Sequence, residues 1–315
     1  MKNDSVLVVY NTCGLSGKEN SQWYIDSIES ILSQTLENIR VVMSSCCNSQ
    51  FTRERVVKHF GDRISYCFLD QIVPVNISTN FAVIESVKRF GRFAAYVYVD
   101  SGMNFREQNT VLAQAYDAFK TNNYGILSIQ ASNDNGFENW FGFSEYVSDK
   151  DFVIPVGRAC NGHILIFSDK IYASFERRLW PDIFVAYCTE SIFSFIAAAV
   201  GTRWAVMKNI VIEHNRSVDG ATSGFDHTGP RQDPANNLLA DLDIRTILAN
   251  PEAWLSGFGY EEINSIFPHN PNAYNVDGSC KNPERLRLFL NNNVFLKKHV
   301  FDYDNVINSQ YIMGK

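Results

Sequence analysis

Apolar runs and apolar stripes alternate through the first two thirds of the chain, and their spacing predicts strands and helices in turn. Val6-Leu7-Val8-Val9 leads into Tyr10-Asn11-Thr12, and Ile39-Arg40-Val41-Val42-Met43 stops at Ser44-Ser45. Ile64 to Leu69 forms a third run, and Tyr96-Val97-Tyr98-Val99 ends on Asp100-Ser101-Gly102. Runs rich in β-branched and aromatic residues, closed off by polar or turn-forming ones, read as buried strands. Between them Trp23, Ile25, Ile28, Ile31 and Leu32 fall on one helical face. Thr52 to Phe60 predicts a second helix, ending before Gly61-Asp62, and Phe81, Ile84, Val87 and Phe90 stripe a third over 78–90. Strand and helix in alternation give an α/β fold with a mostly parallel sheet covered on both faces.

The pattern continues past Arg106 with a helix over 107–121 and a strand over 124–130. A loop-rich aromatic stretch over 131–150 follows (Phe137, Trp140, Phe141, Phe143, Tyr146), then strands over 162–167 and 204–213. Ile171 to Arg177 and the apolar Glu190–Val200 segment read as helices. From Ser217 the character changes: Gly220, Gly224, Gly229, Pro230 and Pro234 give loop composition over 217–235. Helical patterns follow at 236–249 and 284–298. The predicted organisation is an α/β domain over 1–216 and a loop-rich, helical extension over 217–315.

Composition narrows the class of protein. The chain has 315 residues, 45% hydrophobic and 20% charged, as an ordinary globular protein does. A net charge of −6 argues against a nucleic-acid partner, which needs a basic footprint. The longest apolar stretch, Ile192 to Val200, is too short to span a bilayer. Met1-Lys2-Asn3-Asp4 enters a strand at once, with no secretory apolar segment. The seven cysteines are irregularly spaced, and the adjacent Cys46-Cys47 pair is poorly placed for a mutual bridge. Reduced thiols in a cytoplasmic protein are expected.

The chemistry expected of this pattern lies at the strand ends. Open α/β sheets bind ligands beyond the carboxyl ends of their strands, and here those ends carry Asn11, Thr12, Ser44 and Asp100. A carboxylate so placed can hold a hard cation against phosphate oxygens. Its bland alternative is an Asp that merely starts a turn. Cys13-Gly14-Leu15-Ser16-Gly17-Lys18 has some of the character of a phosphate loop. It lacks the Gly-Lys-Ser/Thr ending, because Glu19 follows Lys18.

The order of elements over residues 5 to 215 resembles the GT-A fold of glycosyltransferases. Ser27-Ile28-Glu29-Ser30-Ile31-Leu32-Ser33-Gln34 is similar to a helix of the family-2 type, and Leu36 to Val42 enters the second strand as those enzymes do. Asn161-Gly162-His163-Ile164-Leu165-Ile166-Phe167 resembles the small-residue strand beside the sugar. Cys188-Thr189-Glu190-Ser191 resembles the segment that carries an acid at a helix start, and Glu213-His214-Asn215 a strand end that gives a histidine to the metal.

The resemblance implies a GT-A, Rossmann-like enzyme that moves a hexose from a nucleotide-diphosphate sugar, a UDP-sugar first of all, with Mn²⁺ or Mg²⁺. Donor-site residues would be Tyr10, Asn11, Thr12, Ser44, Asn80, Asp100, Ser101, Gly102, Asn161 and Gly162, with Asn76, Arg158 and Arg216 as further phosphate candidates. Asp100 and His214 would hold the metal, and Glu190 would act as general base. At its helix start Glu190 is also favoured simply by the helix dipole. The acceptor (glycan, protein or small molecule) and the stereochemical outcome stay open.

Two departures from the family pattern stand out. Asp-X-Asp is reduced to Asp100-Ser101-Gly102, and the aspartate expected after the second strand is replaced by Ser44-Ser45-Cys46. The missing carboxylate motivates a second reading, a sugar-nucleotide-binding protein without catalysis. A third is another α/β nucleotide-dependent transferase.

Overall fold

The computed structural model describes residues 4–14, 19–70, 73, 75–132, 163–179, 197, 200, 202–215, 217–218, 302–304 and 309–314, and the backbone course of 146–149 and 152–155. One mixed sheet of eleven strands organises them. Its first half is parallel: β3 (Ser65–Leu69), β2 (Ile39–Cys46), β1 (Val6–Cys13) and β4 (Ala95–Asp100). β9 (Ile164–Ser168) then runs antiparallel between β4 and β6 (Tyr124–Ala131), and β10 (Arg203–His214) is parallel to β6. β7 (Tyr146–Asp149) and β8 (Phe152–Pro155) form a hairpin beside β10. The two-residue β5 (Met103–Asn104) pairs with the end of β10. The strand–helix alternation implied an α/β sheet of mostly parallel strands, and the described residues form one. Among the described residues no helix is long and apolar enough to cross a membrane.

Local rules explain where the helices begin and end. α1 (Ser21–Leu32) is capped by the Asn20 side chain, which accepts from Trp23 N at 3.0 Å, and buries Tyr24, Ile25, Ile28 and Ile31. Burying each of these contributes about 1.5–3 kcal/mol. That outweighs the few tenths of a kcal/mol lost at each of the helix's serines, by roughly the propensity scale. α2 (Gln50–Phe60) starts two residues earlier than the sequence pattern indicated, because Ser49 caps it, and it stops at Gly61, where φ is +57°. The Glu19 carboxylate accepts from Ser49 N (2.7 Å), Ser49 Oγ (2.6 Å) and Thr52 Oγ1 (2.6 Å), so an acid sits on the helix's positive end. α3 spans Val75–Phe90.

α4 (Val111–Thr121) begins four residues later than its polar start indicated. Arg106 has φ +45°, and the chain from Phe105 to Leu112 is bound instead to the end of α1. Ser30 Oγ accepts from Phe105 N at 3.1 Å. Gln34 Nε2 donates to Gln108 O at 2.9 Å, and Gln34 Oε1 accepts from Leu112 N at 2.9 Å. The Ser and Gln of the helix motif therefore serve as backbone ties between two segments. α5 (Asp169–Ser174) starts at its Ser168 cap.

β11 (Ser309–Ile312), which the short sequence Ser-Gln-Tyr-Ile did not announce, pairs antiparallel with β3 and covers that edge of the sheet. Tyr311 fixes it to α3: its hydroxyl lies 3.0 Å from Ser86 Oγ, and the Arg89 guanidinium sits over its ring at 4.1 Å. Residues 309–312 thus belong to the same sheet as β1 to β4.

Gln34→Leu should leave the Leu112 N–H and Gln108 carbonyl without their partner and cost about 2 kcal/mol or more, as buried unsatisfied groups do. The check is a urea titration, with a lower midpoint at unchanged slope.

Candidate functional site

The register of the parallel strands lines up one polar row. Asn11 lies beside Asp100 on one side and beside Ser44 on the other, with Thr12 beside Ser45 one residue further on. These polar residues stand at the carboxyl ends of their strands, where the apolar runs stop.

Behind the row lies a closed network. Asn11 Nδ2 donates to Ser78 Oγ (2.6 Å) and Thr79 Oγ1 (2.8 Å), both in the first turns of α3. Ser44 Oγ donates to Ser78 O at 3.0 Å. Thr12 Oγ1 and Ser45 Oγ both donate to Asn48 Oδ1, at 2.8 and 2.7 Å. Asn11, Thr12 and Ser44 are only 5%, 1% and 0% exposed, so in this structure their polar groups bind protein. Cys13 and Cys46 are register partners, and the Cys13 thiol together with burial pushes the Cys46 thiol up. The Cys47 thiol is pushed up chiefly by burial. These thiols therefore stay protonated, and Cys13, Cys46 and Cys47 form no disulfide.

The Asp100 turn is the most heavily tied part of the edge. The Ser101 carbonyl accepts from the Tyr10 hydroxyl at 2.8 Å and from the Trp23 indole nitrogen at 2.9 Å. Burial pushes the Tyr10 phenol well above its usual range, which keeps it a neutral donor. Asp100 N donates to His163 O at 2.8 Å, and Asn215 N to Gly102 O at 2.8 Å. The turn is thereby fixed between the entry to β9 and the exit from β10.

Asp100 meets a histidine pair there. Its Oδ2 lies 2.9 Å from His163 Nδ1 and its Oδ1 3.3 Å from Ser101 Oγ. The His163 ring packs on the His214 ring, with centroids 4.1 Å apart and planes at 41°. His214 N donates to Ser132 Oγ at 2.9 Å. Gly102 is what permits this: a Cβ there would stand 2.6 Å from His214 Cδ2 and 2.8 Å from its Nε2. The space a side chain would fill is given to the imidazole.

The structure therefore gathers Asp100, Ser101, Gly102 and His214 at one point, with Tyr10 directly beneath. Asn80 is directed elsewhere: its Oδ1 accepts from Leu179 N at 3.0 Å and its Nδ2 donates to Tyr303 Oη at 3.3 Å. Asn161, Gly162, Glu190, Arg158 and Arg216 lie outside the described residues. His163 is the member that sequence reasoning missed. Its signal was its place at the mouth of the Ile164–Ser168 strand, but only the pairing of that strand with β4 brings it opposite Asp100.

The Asp100 carboxylate is the kind of oxygen donor that suits a hard cation such as Mn²⁺ or Mg²⁺, and the His214 imidazole would be the softer donor beside it. Among the described residues no three His, Cys, Asp or Glu side chains form a ready-made ion cage, so phosphate or water oxygens would complete any coordination. A separate cavity of about 570 Å³ lies at the opposite edge of the sheet, lined by Asp4, Arg40, Arg63 and Ser65 among others. The Arg63 guanidinium there is already bound to both oxygens of Glu29, at 2.7 Å each.

Gly102→Ala should displace the His214 ring and destabilise the fold by about 1–3 kcal/mol, as overpacking does. The His214 imidazole resonances should move while those of His59, on α2, stay in place.

No family model and no curated protein sequence matches the chain. Solved structures do. Residues 1–349 of TarS from S. aureus, a GT-A-type glycosyltransferase, match with TM-score 0.55 and 14% identity over 84% of this chain and 70% of that one. The same protein in complex with UDP-GlcNAc matches with TM-score 0.55 and 13% identity, covering 84% of this chain and 71% of that one. A longer TarS structure gives TM-score 0.54 and 14% identity over 83% and 42%. At such identities the likeness establishes the fold, and the fold of this chain is GT-A.

Proposed function

We propose that the chain is a glycosyltransferase that moves a hexose from a UDP-sugar to a hydroxyl acceptor with the help of Mn²⁺ or Mg²⁺. The observation that carries this reading is the meeting of Asp100 with His163 and His214 at the carboxyl edge of a GT-A sheet. The TarS complex with UDP-GlcNAc supports the donor class and makes UDP-GlcNAc the first donor to try.

In this reading Asp100 and His214 hold the cation beside the donor's diphosphate. The cation, when bound, offsets the charge that develops on the departing nucleotide. Tyr10 and Trp23 keep the Asp100 turn in place through the Ser101 carbonyl. Asn11, Thr12 and Ser44 hold the strand ends under the nucleotide, since their polar groups are already bound to α3 and Asn48. Glu190 accepts the proton of the acceptor hydroxyl as that oxygen bonds to the anomeric carbon and UDP departs. The 131–150 and 217–235 stretches, most of which lie outside the described residues, are the candidates for the acceptor side, and the acceptor's identity and the stereochemistry are left open.

The single carboxylate of Asp100-Ser101-Gly102 favours one competing reading, a protein that binds sugar nucleotides without turning them over.

Calorimetric titration of UDP tests the donor site. The native chain should bind UDP with Mn²⁺ and lose most of that affinity in EDTA. Asp100→Asn should bind at least tenfold more weakly with Mn²⁺; equal affinity would refute the metal role of Asp100. Glu190→Gln should keep UDP affinity while UDP-GlcNAc turnover falls by about 10²-fold or more, the scale of a lost general base. A native chain that binds UDP-GlcNAc yet never consumes it, with any acceptor class, would favour the binding-protein reading.

A further inference from the structure

We propose that His163 stands in for the second carboxylate that this site lacks, as the positioning residue that decides which oxygen of Asp100 faces the cation. The proposal rests on the donor-site reading above and adds a residue and a role to it.

A lone carboxylate at the end of a strand can rotate about its last bond and offer either oxygen, or both, to an ion. Here the rotation is stopped from one side. His163 Nδ1 stands 2.9 Å from Asp100 Oδ2. An ionised carboxylate only accepts, so Nδ1 carries the proton and donates it. The same two residues are joined again through the backbone, Asp100 N to His163 O at 2.8 Å. Two bonds between one pair of residues fix both the position of the Asp100 backbone and the direction of its side chain.

Burial keeps the side-chain bond from dissolving into water. The His163 side chain is 13% exposed and that of Asp100 18%. In such surroundings a charge-assisted hydrogen bond is worth more than at an open surface. The ring also packs against His214, 4.1 Å away centroid to centroid, in the room that Gly102 leaves. With Oδ2 engaged by the imidazole, Oδ1 would be the oxygen left for a cation, with the Ser101 hydroxyl 3.3 Å away.

This arrangement has a chemical consequence. A paired-acid site would bring two negative charges to the ion, whereas this one brings Asp100 alone. The remaining coordination falls to the neutral His214 imidazole, the nucleotide and water, so the geometry of the one carboxylate carries more of the protein's share of the binding. Hydrogen-bonded partners of metal ligands typically change metal affinity by 10–100-fold when removed.

The test measures Mn²⁺ affinity in the presence of saturating UDP, by calorimetry and by the electron paramagnetic resonance signal of free Mn²⁺. It compares the native chain with His163→Ala and His163→Asn, each checked for an unchanged thermal midpoint. The Asn amide N–H₂ takes the place of the Nδ1–H donor but offers no imidazole. His163→Ala should weaken Mn²⁺ binding by about 10- to 100-fold, and His163→Asn should return it to within a few-fold of native. Native affinity in His163→Ala would overturn the proposal. Equal weakness in both variants would also overturn it, since the imidazole would then act as a ligand in its own right. A native chain that binds no Mn²⁺ with UDP would remove the donor-site reading itself, and this proposal with it.

Discussion

The Ser101 carbonyl, held by the Tyr10 hydroxyl and the Trp23 indole, is the constraint on which the candidate site depends. A carbonyl just past a strand end would ordinarily face water. Here two donors from the first strand and the first helix converge on it, and the adjacent backbone groups of Asp100 and Gly102 are bound to His163 and Asn215. Four separate parts of the chain thus fix three consecutive residues. Release of that carbonyl would leave a buried phenol without its acceptor, at a cost of roughly 1–3 kcal/mol. The direction of Asp100, the nearness of His163 and the space for His214 over Gly102 all follow from the turn being held this way.

The rest of the edge is built by the same means. Short polar side chains replace the apolar ones where the parallel strands finish, and they bind α3 and the Asn48 loop rather than solvent. A sheet edge satisfied internally is rigid before any ligand arrives, which suits a site that must hold a diphosphate in one orientation. The cysteines that stand near the end of the second strand, where an acid was expected, fit this picture. Cys46 is buried, its thiol is pushed up by Cys13 and burial, and it takes part in packing rather than in chemistry.

The parts of this architecture visible in the sequence were those set by local pattern. The strands ending at Thr12, Ser45 and Asp100, and the helices between them, follow from hydrophobic period, and the strand ends placed Asp100 at the edge. His163 was hidden because its role comes from the antiparallel insertion of β9 beside β4, a pairing across more than sixty residues that no local pattern encodes. Gln34 was visible as part of a motif but not as a tie to Leu112, for the same reason. The start of α4 was misplaced because Arg106 takes a left-handed conformation, which its residue type does not announce. β11 is four residues long and gains its place only from the exposed edge of β3 and from Tyr311. Asn80 reads as a phosphate contact by its position on α3, yet packing directs it to Leu179 and Tyr303.

The central claim is that a cation and a nucleotide diphosphate meet at the Asp100 turn. Paramagnetic broadening by Mn²⁺·UDP of the histidine ring resonances tests it most directly, with Mg²⁺·UDP as the diamagnetic reference. The account predicts that the His163 and His214 signals vanish at substoichiometric Mn²⁺ while that of His59, on α2 beside Glu29, persists. Sharp His163 and His214 signals under saturating Mn²⁺·UDP would contradict it.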